Sequence, residues 1–406
     1  MGFAVMLIRA REIGKPFGAW FTRRMVVLFI IGLLHMIFLW GGDILHDYAF
    51  AGLLFLGWIY LFQTKRLKKF DNPESFLRIA LVWLTVPFVV GTIMALGFGV
   101  RFDNVDLTED WQKDQYVDSE IDSRTKALPP WSADETEESD QPAAADSATD
   151  TESEPEDQDR ELTEAEETEE TINRRVENRR KRLAREKEEV DTFSHGTYWE
   201  ATKVRFRHVG TALTVTPFFT LVMLLPIFLL GYWLIASGTL RNHQDNRHIF
   251  KPMALIGMTF GMFFTVGGLS VMQHPVADVS RILQTAGGML FFFGQYVLAA
   301  GYLGSVVLLL SSPAWSKRLD HFAPMGRMAL TNYIMHSIIL TTIFYGYAGG
   351  FYGQVSRAPQ MLIVIAIIVF QLFFSRWWLE RYRFGPLEWV WRSLTYKTMQ
   401  PMKITP

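Results

Sequence analysis

The chain contains no cysteine, which excludes disulfide bonds, thiol catalysis and cysteine-ligated zinc or iron–sulfur sites for this sequence. Acidic residues are also scarce outside one segment. Of the 42 Asp and Glu residues, 32 lie between Arg101 and His208, together with 16 of the 40 Lys and Arg residues. The remaining 298 residues hold only 10 acidic and 24 basic side chains, too few to solvate a globular surface. This distribution excludes a soluble enzyme and indicates a membrane protein that carries an acidic insertion.

Long apolar segments indicate an all-α, polytopic bundle, because roughly 20 apolar residues are needed to span a bilayer as a helix. The sequence predicts about eight spans, at 25–40, 44–62, 79–100, 209–240, 252–272, 282–311, 328–347 and 358–375. Residues 1–100 then form an N-terminal membrane part with a partial first helix and three spans. Residues 209–378 form a C-terminal membrane part with five spans, and 379–406 form a cytoplasmic interfacial tail.

Basic residues are concentrated in every second short loop, as at Arg23 and Arg24 before the first span and Lys65 to Lys69 after the second. The bias of Lys and Arg towards cytoplasmic loops predicts that both termini are cytoplasmic and that 101–208 is extracytoplasmic. We therefore expect a multi-pass protein of the cell membrane. Membrane lipids are expected partners, nucleic acid is not, and the oligomeric state is open.

The acidic insertion divides by composition. Residues 103–170 are rich in Asp, Glu, Ser, Thr and Pro and predict disorder, because they hold too little apolar surface to offset chain entropy. Residues 161–190 have the composition of a charged helix, and the lack of an apolar seam favours a single helix over a coiled coil. The insertion is either a solvated spacer or a segment that binds cations or a basic partner.

The chain begins with a short apolar stretch, Gly2–Ile8, which is too brief to span a membrane or to act as a secretory signal. We interpret it as the inner end of a helix whose beginning is absent from this sequence.

The densest set of polar residues beside a span is the one that contains His35 and Asp43, with the Gly41-Gly42 pair between them. Ionisable groups at membrane depth are costly and mark candidate sites. A histidine and a carboxylate that converge across a helix–turn–helix can form a general base with its orienting partner. Alternatively, His35 hydrogen-bonds a neighbouring helix and Asp43 caps the helix that follows.

Two further sets lie towards the C-terminus. In 327–336, helical spacing would place Asn332, Tyr333 and His336 on one polar face, with Arg327 at the cytoplasmic mouth, where it can meet phosphate or carboxylate. Interhelical hydrogen bonding is the alternative for that set. In 383–392, Pro386 is typical of a helix start, and Glu388 and Arg392 are spaced to pair in an interfacial anchor. The remaining histidines lack the spacing of metal ligands, so no metal site is expected.

These three sets, in this order, resemble the YeiB-like family of bacterial polytopic membrane proteins, whose function is itself unknown. The resemblance rests on Arg23-Arg24, Gly32-Leu-Leu-His35, Trp40-Gly-Gly-Asp43, the 326–333 and 385–392 segments, and His195-Gly-Thr-Tyr198 followed by Arg205. It covers most of the chain except 103–191. Two departures are the lack of further N-terminal helices with an Arg-Gly element, and His336 where the family would have Gln.

The family is grouped with integral-membrane acyltransferases of the heparan-glucosaminide acetyltransferase type, which pass an acyl group from cytoplasmic acyl-CoA to an acceptor across the membrane. The resemblance implies acyl-CoA as the donor substrate, His35 as general base and Asp43 as its orienting partner. It also implies a donor-binding role for a set of residues on the cytoplasmic side: Arg24, Arg327, Asn332, Tyr333 and Arg392. A proton-coupled transporter of a small solute and a non-catalytic scaffold or sensor are the alternative functions.

Overall fold

A computed structural model describes residues 2–14, 16–62, 72–85, 120, 123–124, 164–273 and 281–404. Within these ranges, regular structure is helical apart from one isolated antiparallel bridge between Tyr382 and Lys403. The all-α prediction is therefore confirmed. The helices are α1 (Gly2–Glu12), α2 (Gly18–Phe38), α3 (Leu45–Phe62), α4 (73–85), α5 (Glu164–His195), α6 (Tyr198–Phe219), α7 (Leu225–Ala236), α8 (Arg247–Met272), α9 (Arg281–Leu310), α10 (Pro313–Leu319), α11 (Ala323–Arg327), α12 (Ala329–Phe344), α13 (Arg357–Leu379) and α14 (Pro386–Tyr396).

Five helical segments in the described ranges are long and apolar enough to cross a membrane: α2, the continuous α6–α7 segment, α8, most of α9, and α13. The helices α3 and α12 are apolar but shorter, and they coincide with the second and seventh predicted spans. The third predicted span, 79–100, lies outside the described residues beyond position 85. The chain thus has the helices of a multi-pass membrane protein.

An aromatic cluster holds the N-terminal helices together. The ring of Phe3 in α1 lies edge-on to Phe17, Phe21 and Phe55, with centroid distances of 5.3, 4.7 and 4.6 Å. Edge-to-face aromatic pairs of this kind are each worth about 0.5–1.5 kcal/mol beyond the area that they bury. Tyr232 of α7 contacts Phe55 and belongs to the same cluster, so helices that are far apart in the sequence share one core.

The charged helix α5 overlaps the range that the sequence predicts for it and extends to His195. After Gly196 the chain starts α6, where Thr197 and Glu200 form a capping box that satisfies the free N–H groups of the first turn. Residues 198–208 therefore belong to the helix that continues into the fourth predicted span, although the sequence analysis assigned them to the insertion. Of the range predicted to be disordered, 103–170, residues 164–170 are helical and belong to α5. The rest lies outside the described residues except for 120 and 123–124.

The α6–α7 segment is bent at a π-helical turn, Thr220–Leu224, which follows Pro217. Proline lacks an N–H donor and obstructs the preceding turn, and π-turns accommodate such interruptions inside helices. The side chains of Thr216 and Thr220 point inward at the bend and are buried. The bend thus brings a hydroxyl group, that of Thr216, into the interior beside α3.

Helices α8 and α9 form an antiparallel hairpin whose backbones touch along a row of glycines. A side chain at Gly257 would collide with the backbone of Gly301, and one at Gly261 with the backbone of Leu298. Small residues at such interfaces allow the close approach on which helix association in membranes depends. The outer face of the hairpin is apolar and exposed, as at Leu255 and Phe263.

Candidate functional site

The end of α2 folds back so that the chain after it faces His35. The carbonyl oxygen of His35 accepts the N–H groups of both Leu39 and Trp40 at 2.9 Å, which closes the helix. The Gly41-Gly42 pair then makes the turn, and Asp43 caps α3 by accepting the His46 N–H at Oδ1 (3.0 Å). The carboxylate of Asp43 therefore points back towards α2.

Gly32 makes this approach possible. A Cβ at this position would lie within van der Waals overlap of the Asp43 Oδ1 and of the His46 backbone nitrogen. Gly32 and His35 are one helical turn apart, so the missing side chain opens the space that the Asp43 carboxylate occupies next to the imidazole.

His35 lies between a carboxylate and a hydroxyl. Its Nδ1 is 2.7 Å from Oδ2 of Asp43, and its Nε2 is 2.7 Å from Oγ of Ser337 in α12. An ionised carboxylate can only accept, so Nδ1 carries a proton, and in the neutral imidazole Nε2 then accepts the Ser337 hydroxyl. His35 is 2% exposed and Asp43 is 6% exposed, so both lie inside the bundle rather than against lipid.

Asp43 accepts four hydrogen bonds, two at each oxygen. Besides those from His35 and the His46 backbone, Oδ1 lies 3.0 Å from His46 Nδ1 and Oδ2 accepts the Tyr333 hydroxyl at 3.2 Å. Burial alone would raise the pKa of this loop carboxyl, but the hydrogen bonds from His35 and His46 outweigh burial and lower the pKa to about 2. Asp43 is therefore a carboxylate that holds two imidazoles.

His46, like His35, has its Nδ1 beside the Asp43 carboxylate and its Nε2 beside a hydroxyl group. Its Nε2 lies 3.0 Å from the Thr216 hydroxyl at the α6 bend and 3.5 Å from Oδ1 of Asp47. The Oδ1 of Asp47 is buried and has no hydrogen-bond partner among the described residues. The result is a continuous chain of exchangeable groups: Ser337, His35, Asp43, His46 and Thr216.

The second predicted set divides between two environments. Tyr333 lies beside His35, with ring centroids 5.0 Å apart, and it contacts Asp43. Asn332 faces away from that network, and its Nδ2 donates to Ser375 at 3.0 Å and to the Met325 carbonyl. Arg327 is exposed, and its guanidinium lies 3.5 Å from the carbonyl of Arg383. A donor-binding role for Asn332 and Tyr333 stays a prediction.

The third predicted set does anchor the tail, but the pairing of Glu388 with Arg392 is wrong. Glu388 instead caps α12, accepting the Thr331 N–H at 3.0 Å and the Thr331 hydroxyl at 2.5 Å. A buried carboxylate at a helix N-terminus is satisfied by those donors and by the helix dipole, so it has no need of the arginine. The guanidinium of Arg392 lies over the ring of Phe384, 4.5 Å from its centroid.

The three candidate donor-binding arginines lie along one end of the bundle. Arg24 stacks on Trp391, with the Arg24 Cζ 3.6 Å from the ring centroid. Trp391 directly precedes Arg392 in the sequence. Arg327 and Arg392 contact adjacent residues of the 383–384 turn. None of the three arginines pairs with a carboxylate of the described residues, so this end of the bundle has uncompensated positive charge that suits a phosphate.

A cavity of about 560 Å³ opens beside Arg24 and runs between α1, α2, α7 and α9. Its lining is apolar, with Leu28, Phe228 and Tyr232 among the side chains, and Tyr48 of α3 also borders it. Leu28 and His35 are two turns apart on α2, about 10 Å at helical rise. The cavity is within the size range of small-ligand pockets. Of the three arginines only Arg24 lines it, and its lining on α2 ends at Leu28, seven positions before His35.

Three polar residues of this region were not singled out by the sequence analysis as site candidates. Ser337 follows Tyr333 by four positions, so helical spacing would have placed it on the same face. Thr216 has no comparable sequence signal. Arg205 is 2% exposed, donates to the carbonyls of Ile37 and Phe38 at the end of α2, and leaves its Nη1 without a hydrogen-bond partner in the described part of the chain.

Comparisons with known proteins agree with the sequence motifs. A family model described as "Protein of unknown function (DUF418)" matches residues 234–398. The uncharacterized protein YxaH of Bacillus subtilis is 26% identical over 413 residues, which cover 99% of this chain and 78% of YxaH. The uncharacterized protein YeiB of Escherichia coli is 40% identical over 189 residues, 43% of this chain and 44% of YeiB. The resemblance to the YeiB-like family is confirmed.

A further relative is the uncharacterized 39.9 kDa protein in the amylase 3′ region of Bacillus acidopullulyticus, which is 32% identical over 194 residues. That match covers 44% of this chain and 54% of the relative. The chain thus spans about half the length of two of these relatives. No solved structure matches the chain.

Proposed function

We propose that this YeiB-like protein is an integral-membrane acyltransferase that takes an acyl group from acyl-CoA and passes it to a hydroxyl or amine acceptor at or across the membrane. His35 is the general base. The observation that carries the proposal is the His35 imidazole held between the Asp43 carboxylate and the Ser337 hydroxyl, at 2.7 Å on each side.

The position of Asp43 gives His35 the properties of a base. A carboxylate at Nδ1 fixes the tautomer, leaves the Nε2 lone pair for a proton, and stabilises the imidazolium that forms. Burial keeps water away from the site, which strengthens the electrostatic interaction between the two groups. A neutral imidazole also accepts a proton at membrane depth without leaving an isolated charge, since Asp43 is already its counter-ion.

The donor side of the proposal rests on Arg24, Arg327 and Arg392 and on the cavity that Arg24 borders. The arginines would bind the phosphates of CoA, and the apolar cavity would receive the acyl chain. We assign the cavity to an acyl chain because its lining is apolar apart from the Arg24 end, which matches a ligand with one charged end.

The absence of cysteine makes a direct test available, because CoA is then the only thiol in a reaction with the purified protein. The protein in nanodiscs is given acetyl-CoA or palmitoyl-CoA with an extract of membrane sugars and amines, and free CoA is measured with a thiol reagent. We expect the rate of CoA release to be lower in His35→Gln than in the native protein by on the order of 10²- to 10⁴-fold, which is the usual contribution of a general base. His248→Gln, which replaces an exposed histidine in the first turn of α8, is the matched control and should keep full activity.

Full CoA release by a folded His35→Gln variant would contradict the role of His35, and no release by the native protein with either thioester would contradict acyl transfer. The donor site has a separate measurement. Arg24→Gln should raise KM for the acyl-CoA by about tenfold, equivalent to ~1.4 kcal/mol, at similar kcat. Arg318→Gln, which removes an exposed arginine that also stacks on a tryptophan, should leave KM unchanged.

A proton-coupled transporter is the second candidate, and one observation favours it. The chain from Ser337 through His35, Asp43 and His46 to Thr216 is hydrogen-bonded without a gap, as a proton path requires. Proteoliposomes with an internal pH dye and an imposed proton gradient distinguish the two functions. Proton entry that is lost in His46→Gln, with no consumption of either thioester, would favour the transporter over the acyltransferase.

A further inference from the structure

We propose that Ser337 is a covalent nucleophile, which carries the acyl group as an ester between donor and acceptor. This inference rests on the proposed function and extends it, because it makes the transfer a two-step reaction through the protein. It would turn Ser337, His35 and Asp43 into a serine–histidine–carboxylate triad.

The direction of the hydrogen bonds supports this role. Asp43 accepts from four donors and is ionised, so the Nδ1 of His35 must donate to it. In the neutral imidazole the Nε2 of His35 is then an acceptor, and it receives the hydroxyl hydrogen of Ser337. In a triad the same two bonds run in the same directions, so the proton that the base must remove already points at the base.

Ser337 differs from several serines of the other apolar helices, although the hydroxyl of Ser375 in α13 also bonds a side chain of another helix, that of Asn332. Ser270 in α8 and Ser305 in α9 each donate to the carbonyl four residues earlier in their own helix, which is the usual way for a helical serine to satisfy its hydroxyl. The hydroxyl of Ser337 instead leaves its helix and contacts the imidazole of His35, 302 positions away in the sequence. The contact therefore depends on the tertiary fold and is not a local feature of α12.

The first step forms an ester and releases a thiol. The Ser337 Oγ attacks the thioester carbonyl carbon while the Nε2 of His35 takes the hydroxyl proton, and a C–O bond forms. The C–S bond then breaks, and the CoA thiolate takes the proton from Nε2 and leaves as the free thiol. Asp43 stabilises the imidazolium between these two events without accepting its proton.

The second step transfers the acyl group to the acceptor and regenerates the free Ser337 hydroxyl. An acceptor hydroxyl or amine attacks the ester carbonyl carbon while Nε2 takes the acceptor proton. The bond between that carbon and the Ser337 Oγ breaks, and the serine oxygen takes the proton back from Nε2. Ser337 is only 7% exposed, so water has little access to the ester, which favours transfer over hydrolysis.

The test begins without an acceptor, so that the ester accumulates. The purified protein in nanodiscs is incubated with acetyl-CoA or palmitoyl-CoA, quenched in acid, and measured as intact protein and as peptides by mass spectrometry. We expect one acyl group, on Ser337. The adduct should be lost in Ser337→Ala and should form at least about 10²-fold more slowly in His35→Gln. Ser305→Ala is the matched control, and it should acylate at the native rate.

A second variant covers the case in which Ser337→Ala does not fold. Ser337→Cys gives the cysteine-free chain a single thiol, and its conversion to a mixed disulfide by a small methanethiosulfonate, which releases methanesulfinate, is followed against pH. A thiol paired with His35 should react with a midpoint well below the ordinary value of about 8.5, and His35→Gln should return the midpoint towards that value. An unshifted midpoint, or a thiol that never reacts, would overturn the proposal.

The outcomes separate this inference from the proposed function. If Ser337→Ala still releases CoA in the presence of acceptor, and the native protein forms no ester, Ser337 is not the nucleophile. Acyl transfer then proceeds directly, with His35 as base. If a fluorophosphonate labels Ser337 in a His35-dependent way but neither thioester is consumed, the nucleophile stands and acyl-CoA as donor is wrong. If neither the ester nor fluorophosphonate labelling appears at Ser337, this inference fails.

Discussion

His35 and Asp43 make the contacts that the structural interpretation of their sequence predicts, and they also lie in contact with each other. His35 does hydrogen-bond a neighbouring helix, at Ser337, and Asp43 does cap α3. The same two side chains contact each other at 2.7 Å. A structural role therefore does not argue against the proposed catalytic one, since the cap and the interhelical bond hold the imidazole in position.

Gly32 should be essential to that geometry. In Gly32→Ala the new methyl group would overlap the Asp43 carboxylate, so the cap must shift and the contact with His35 must lengthen. We expect a loss of about 1–3 kcal/mol of unfolding free energy, the usual cost of overpacking, measured by denaturation in mixed detergent micelles. Gly57→Ala on α3 is the control, because a Cβ there meets nothing within 4 Å. Equal stability of the two variants would contradict this account of the cap.

Arg205 should contribute to stability through the end of α2. Its guanidinium donates to the carbonyl groups of Ile37 and Phe38, which the helix itself leaves without partners. Arg205→Gln should cost about 2 kcal/mol or more, because bonds from a buried charged donor to two partly buried carbonyl groups are lost. Arg207→Gln removes an exposed pair with Glu188 and should cost less than about 1 kcal/mol. A similar unfolding midpoint for both variants would show that α2 does not depend on this cap.

At the scale of elements, the hairpin of α8 and α9 depends on glycine rather than on large apolar residues. Gly301→Ala would place a methyl group against the backbone of Gly257, so the two helices must separate locally. Gly288→Ala, on the same helix, meets nothing within 4 Å and should be neutral or slightly stabilising. We expect a lower unfolding midpoint for the first variant only, measured by tryptophan fluorescence in a detergent titration. Unchanged packing in Gly301→Ala would contradict the close contact of the two backbones.

The C-terminal helix α14 contacts two helices that are distant from it in the sequence, α2 and α12. The helix α14 packs on the start of α2, where Trp391 donates to the Arg24 carbonyl and Arg23 donates to the Thr395 carbonyl. Through Glu388 it also caps α12, the helix that carries Tyr333 and Ser337. The last helix in the chain therefore links the two helices that hold His35 and Ser337.

At the scale of the whole molecule, the orientation in the membrane stays a prediction and has a direct test. Single cysteines at Glu186 in α5 and at His243 after α7 are each unique, because the native chain has none. A membrane-impermeant maleimide added to intact cells should label Glu186→Cys and should label His243→Cys only after the membrane is opened. The reverse pattern would show that the acidic insertion is cytoplasmic.

The sequence by itself determined the features that depend on local composition. Apolar length marked the membrane helices, Pro386 marked the start of α14, and the Gly41-Gly42 break placed Asp43 close enough to turn back on His35, eight positions earlier. These are properties of neighbouring residues, and hydropathy and turn chemistry report them without knowledge of the fold.

Only the tertiary structure decided which distant groups complete the site. Ser337, Thr216 and Arg205 meet their partners across 302, 170 and 168 positions of sequence. The face that one helix presents to another depends on how the helix is rotated about its axis, and packing between helices sets that rotation. In this protein the features that set it are the space at Gly32, the π-helical turn after Pro217 and the cap from Glu388. Because those constraints act between helices that are far apart in the chain, the sequence pattern of any one helix does not contain them.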